Sequence, residues 1–160
     1  MNIYYGSQSG NCEEIAKLLQ YRIENECNLT INCDTLNSLT PLVLLDNKIT
    51  NISYAFIITS TYGNGDAPEN ASKFWRVIKK RTTNKLLFED INFCILALGN
   101  SNYDKFCNFG KNVDKRLHEL GGTRTLNLTC VDEVDGLEEP VTVWCDKVIE
   151  LINNAYFNHL

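Results

Sequence analysis

Residues 54–81 read YAFIITSTYGNGDAPENASKFWRVIKKR, and this stretch decides the fold class. Tyr54 to Thr59 is apolar throughout and rich in β-formers, the composition of a strand buried on both faces. Ser60 to Asn70 is a polar turn with two glycines and a proline. Ala71, Phe74, Trp75 and Ile78 then recur at helical spacing. Lys79, Lys80 and Arg81 stand at the end that the helix dipole favours for cations. Strand, turn and amphipathic helix in this order form the unit from which helix-covered parallel sheets are built.

The same unit recurs on both sides. Upstream, Ile3 to Tyr5 is a short buried strand ending at Gly6, and Cys12, Ile15, Ala16, Leu19, Ile23 and Cys27 mark a helix over Asn11 to Glu26. Leu29 to Asp34 alternates like a strand. Residues 35–52 carry little periodicity beyond a short helix through Leu42 to Leu45. Downstream, Phe93 to Leu98 is another apolar strand. Phe106, Phe109, Gly110, Val113, Leu117 and Leu120 share a helical face closed by Gly121-Gly122. Thr123 to Cys130 reads as a weaker strand without an insertion. Pro140 suits a first helical position, and Val141, Trp144, Val148 and Leu151 continue the stripe. Five such units predict one α/β domain over residues 1–160, a three-layer sandwich around a five-stranded parallel sheet in the order 2-1-3-4-5. Ligands of such sheets bind beyond the carboxyl ends of the strands, where the winding reverses.

The chain has 160 residues, 44% of them hydrophobic, enough to bury a core without staples. Its net charge of −5 argues against nucleic acid or an anionic membrane as the main partner. No run is long enough to span a bilayer, and no signal peptide precedes Ile3, so a cytoplasmic setting is expected. Seven cysteines, at 12, 27, 33, 94, 107, 130 and 145, contain no C-x-x-C pair and read as core fillers rather than metal ligands. His118 is expected on an outer helix face and His159 in the tail, neither within a hydrolytic or metal constellation.

Three loops follow the first, third and fourth strands. Gly6-Ser7-Gln8-Ser9-Gly10-Asn11 offers hydroxyls, an amide and a helix N-terminus, a combination able to hold phosphate without a cation. The same residues also suit a polar turn with a Ser or Asn cap. Ser60 to Asn70 sets Tyr62 beside two glycines, where a flat ligand could approach the main chain. Leu98-Gly99-Asn100-Ser101-Asn102-Tyr103-Asp104-Lys105-Phe106-Cys107 repeats that chemistry, with Tyr103 available for the opposite face.

The strings GSQSGN (6–11), TYGNGDAPENA (61–71) and LGNSNYDKFCNFGK (98–111) resemble the flavodoxin-like FMN domain of the NADPH-dependent diflavin reductases. That family serves haem monooxygenases, sulfite reductase, methionine synthase and iron–sulfur assembly. The resemblance covers nearly the whole chain and is weakest over residues 35–52. It implies that Ser7, Gln8, Ser9, Gly10, Asn11 and Cys12 hold the FMN phosphate, the Cys12 N–H serving although a smaller residue is usual there. Ser60, Thr61, Tyr62 and Gly63 would line one side of the isoalloxazine. Leu98, Gly99, Asn100, Ser101, Asn102, Tyr103, Asp104, Lys105, Phe106 and Cys107 would line the other, with Tyr103 the stacking ring. Asp132 would stand near the flavin edge, and the Gly63 carbonyl would turn towards flavin N5, letting paired electrons leave singly. Glu133-Val134-Asp135-Gly136 departs from the acid-rich microsomal pattern and is nearer that of methionine synthase reductase.

The resemblance further implies electrons arriving from an NADPH/FAD reductase module and leaving for a redox acceptor. Asp66, Glu69, Asp132, Glu133, Asp135, Glu138 and Glu139 would form an acidic rim for a partner with a basic face. Loop solvation and a negative helix N-terminus account for the same acids. Trp75, Trp144, Phe74 and Phe109 are expected in the core, and the protein as a monomer. The residues leave two other functions open. A free-standing short-chain flavodoxin would share the flavin site, and a non-redox adaptor would share only the fold.

Overall fold

The computed structural model describes residues 1–158, so the expectation for His159 lies outside the described residues. Strands β1 (Asn2–Gly6), β2 (Asn32–Thr35), β3 (Tyr54–Ser60) and β4 (Asn92–Gly99) are parallel neighbours in the order β2-β1-β3-β4. Helices α1 (Asn11–Glu26), α2 (Thr40–Leu44), α3 (Glu69–Ile78), α4 (Asn108–Glu119) and α5 (Glu138–Tyr156) cover the two faces. Interior residues of β3 and β4 are buried without alternation, as a doubly covered sheet requires. One core, including Ile3, Leu19, Phe56, Leu96 and Trp144, lies under α1 and α5. The other, including Ile57, Phe74, Phe93, Phe109 and Leu117, lies under α2, α3 and α4.

The fifth position of the sheet differs from the single unbroken strand expected. Two segments occupy it, β5 (Thr123–Arg124) beside Asn92–Phe93 and β6 (Thr129–Asp132) beside Leu96–Gly99. Four residues, Thr125 to Leu128, span the gap facing only Cys94 and Ile95, so the chain bulges outward between them. The Thr125 N–H and hydroxyl still reach the Phe93 carbonyl, at 2.9 and 3.1 Å.

Several boundaries also move. The strand expected over 29–34 lies at 32–35, because Asn32 to Thr35 pair with Asn2 to Tyr5 and the preceding residues have no partner there. The helix expected at 42–45 is α2, one to two residues earlier, preceded by a 3-10 turn (Leu36–Leu39) that buries Leu36 and Leu39. Helix α4 starts at Asn108 rather than Phe106, because Cys107 sits in left-handed backbone at φ 53°. Pro140 is the third residue of α5, not the first; its missing N–H still falls among the donors that a first turn leaves free. Trp75 is half-buried, edge-on to Phe109, and His118 is exposed as expected.

Helix α4 is tied to β5 by a two-pronged ion pair. Arg124 Nη2 lies 2.8 Å and Nε 3.0 Å from the carboxylate of Asp114, which is buried. Asp114→Ala should destabilise the fold by about 2 kcal/mol in urea denaturation, since it strands a charged donor beside a buried face.

Candidate functional site

The three loops meet at the carboxyl ends of β1, β3 and β4. Between the last two lies a cleft of about 370 Å³, lined by Ser60, Thr61, Gly63, Leu98, Gly99, Asn100, Tyr103, Lys105 and Glu133. It has one aromatic wall, because Tyr103 lines it and is 67% exposed. Tyr62 is also exposed but is not among the lining residues. Its N–H and carbonyl exchange 2.8 Å hydrogen bonds with Asp66, closing Gly63-Asn64-Gly65 into a tight hairpin. Gly63 sits at its entrance at φ 52°, with open space where a Cβ would stand.

The serine loop begins beside the cleft and turns into α1. Gly10 is left-handed, and the N–H groups of Gly10 and Cys12 converge on one oxygen, Ser7 Oγ, at 2.9 and 3.3 Å. The Cys12 thiol is buried beside the Ser60 and Ser7 hydroxyls, and burial pushes its pKa up to about 12, so this residue offers a bound anion its backbone N–H rather than its sulfur. Ser9 and Gln8 are exposed. Ser7 and Gln8 also border a separate polar groove with Asn37, Asn70, Lys73 and Arg76, so the phosphate-loop candidates and the ring-side candidates face adjoining spaces.

Side-chain amides brace the loops to one another, a role the sequence reading did not assign. Asn70 Oδ1 accepts the Ser7 N–H at 2.8 Å, and Asn108 donates to the Gly65 carbonyl at 2.9 Å. Thr61 Oγ1 accepts the Phe109 N–H at 3.1 Å, so the second loop caps the first turn of α4. Asn37 accepts the Lys73 and Phe74 N–H groups and steadies α3. The only available signal was an Asn at a strand or helix end, which is common and carries no period.

Asp132 is not a wall of the cleft; Glu133, counted beforehand only in the rim, is. The Asp132 carboxylate accepts the Ser101 N–H at 3.2 Å and the Val134 N–H at 3.0 Å. The Ser101 side chain contributes most to holding its pKa below the usual carboxylate value, followed by these backbone donors. Asp132 therefore fastens the Tyr103 loop to the end of β6. Ser101, Asn102 and Asp104 are exposed on that loop, outside the cleft lining. Phe106 is half-buried under Lys111, and Cys107 is fully buried.

Asp66, Glu69, Glu133, Asp135, Glu138 and Glu139 are all exposed at this end of the sheet, and none forms an ion pair among the described residues. No group of metal-binding side chains gathers among the described residues, and none of the described helices is long and apolar enough to cross a membrane.

Comparison with known proteins agrees with this geometry. The chain is 35% identical over 156 residues to the sulfite reductase (NADPH) flavoprotein alpha-component of Bacillus subtilis, covering 97% of this chain and 24% of that one. It is 32% identical to the methionine synthase reductase of Caenorhabditis elegans, covering 96% and 22%. The chain thus spans about a quarter of the length of these curated relatives. Oxidised flavodoxin 2 from Bacillus cereus superposes with a TM-score of 0.74 at 19% identity, over 97% of this chain and 98% of that one. The sequence model of the flavodoxin family matches residues 3–144 and the fold is the same, so the chain belongs to the flavodoxin family.

Proposed function

We propose that this chain is the FMN module of an NADPH-dependent diflavin reductase, taking electrons from an FAD-bearing module and passing them singly to a haem, cobalamin or iron–sulfur acceptor. As a flavodoxin the chain takes FMN, which supplies the redox chemistry when bound. The observation that carries the reading is the joint placement of an oxygen-directed N–H pair and a cleft with an aromatic wall at the ends of β1, β3 and β4. The donor set suits a phosphate ester. Gly10 and Cys12 N–H groups already converge on an oxygen, the hydroxyls of Ser7 and Ser9 are adjacent, and the α1 dipole favours an anion.

Each part of the chain has an assigned task. Ser7 to Cys12 bind the phosphate. Thr61, Gly63, Leu98, Gly99 and Tyr103 orient the ring and keep water from it. The Gly63 carbonyl would accept a hydrogen bond from the flavin N5–H. Glu133 and the other rim acids disfavour added negative charge and present a face to a basic partner. The cysteines are free thiols, which supports a reducing, cytoplasmic setting. Relatives above 30% identity named as reductase components favour this reading over a free-standing flavodoxin.

The test is an absorption spectrum after FMN addition and desalting, followed through stepwise anaerobic reduction. Retained flavin that takes up two electrons in separate steps is expected; folded protein that never retains FMN would refute the reading. Gly63→Ala adds a Cβ in left-handed backbone, straining the conformation present by about 1 kcal/mol and so shifting the balance of any turning of this peptide. It should narrow the gap between the two one-electron reduction potentials while leaving the FMN Kd nearly unchanged. An unchanged gap would remove the carbonyl from its assigned role.

A further inference from the structure

Among the seven free cysteines, Cys107 and Cys130 are brought together by the sheet. Cys130 pairs in register with Ala97 on the neighbouring strand, so their side chains leave the sheet on the same face. That face is the one under α4, because the space a Cβ on Gly110 would need is already filled by Ala97 Cβ. The next residue, Val131, enters the opposite core. Cys107, at the start of α4, lowers its sulfur onto the same spot. Its Sγ lies 3.4 Å from the Ala97 carbonyl and 4.0 Å from that of Val131, the residue that follows Cys130, and the Cys130 thiol is among the neighbours that raise its pKa. None of the other five thiols has a second sulfur among the groups that shift its acidity.

We propose that Cys107 and Cys130 are a peroxide-oxidisable dithiol that closes to a disulfide beneath the Tyr103 loop. The two sulfurs differ in access: Cys130 is partly exposed and Cys107 fully buried. Burial, reinforced by Cys130, pushes the Cys107 thiol up to about 12, so it stays protonated and does not meet the oxidant first. The Cys130 thiolate attacks the peroxide O–O bond, taking one oxygen as a sulfenic acid and releasing the other as water. The Cys107 sulfur then attacks the sulfenic sulfur; its proton leaves with the hydroxyl as a second water and the S–S bond forms. Two thiols lose two electrons and one hydrogen peroxide gains them. Rotation about the two Cα–Cβ bonds closes a sulfur contact to the bond length of about 2.0 Å.

The pair joins the end of the Tyr103 loop to β6 two residues before Asp132, which already holds that loop through Ser101. The proposal stands whether or not flavin is bound. Purified full chain is treated with one equivalent of hydrogen peroxide, and its intact mass and non-reduced peptide map are read. The expected result is the loss of two hydrogens, reversible by dithiothreitol, with the Cys107 and Cys130 peptides linked. Cys130→Ser should abolish that linked pair, and Cys107→Ser should halt at a sulfenic acid on Cys130 that dimedone traps. A Cys130 that goes on to sulfinic acid in wild-type protein, or a linkage to any other cysteine, would overturn it. The wild-type peptide map decides even if a serine variant folds poorly.

Discussion

Gly110→Val is expected to lower the thermal midpoint by roughly 10 °C, with a loss of about 3 kcal/mol in urea denaturation. Gly110 lies in the first turn of α4, directly over Ala97 near the carboxyl end of β4. A Cβ there would overlap Ala97 Cβ and approach the Ala97 Cα at 3.3 Å. Valine adds two further methyls to that overlap, and the buried strand cannot move aside, being paired with β3 from Asn92 to Leu98. Helix α4 has to lift instead, which breaks the Thr61 cap and the Asn108 brace. FMN binding should therefore fall together with stability. Adding Ala97→Gly should restore part of both, because it vacates the contested space. A double variant no more stable than Gly110→Val would place the damage elsewhere.

Tyr103→Ala should weaken FMN binding about 30-fold, the equivalent of roughly 2 kcal/mol for a lost aromatic face and the apolar area it covers. Tyr103 is the aromatic residue that lines the cleft. Its hydroxyl has no hydrogen-bond partner among the described residues, so Tyr103→Phe should bind nearly as well as the native protein. Tyr62→Ala should cost less than Tyr103→Ala, since Tyr62 stands outside the lining and its recorded bonds to Asp66 are made by its backbone. Fluorescence titration with FMN measures all three. Equal losses at the two tyrosines would mean that both rings cover the flavin to the same extent.

The parts of this molecule legible in its sequence are those written in burial. Tyr54 to Thr59 and Phe93 to Leu98 could only be strands covered on both faces, and their neighbours then followed from helical spacing and strand order. The three loops were legible because glycine, hydroxyl and aromatic residues stood at predictable strand ends. Other features left no such trace. Leu36, Leu39 and Val43 are buried by a 3-10 turn running into a short helix, whose mixed period matches neither template. The break between Arg124 and Thr129 comes from two residues too many opposite Cys94 and Ile95, a mismatch visible only once register is known. Asn70 and Asn108 act across loops 63 and 43 residues away in sequence, and nothing local marks an amide for such a role. That Glu133 lines the cleft, while Asp132 before it ties down the Tyr103 loop, depends on the single turn after β6.

The interrupted fifth position also bears on how copies of this protein meet one another. An open sheet ends in two rows of unpaired backbone groups, and a long flat edge invites a neighbour's strand to add itself. Here one edge, β2, is only four residues long, and the other is broken into segments of two and four with an outward bulge between them. Neither edge offers a continuous template. Addition of a second copy's strand to this sheet is thereby disfavoured at both ends.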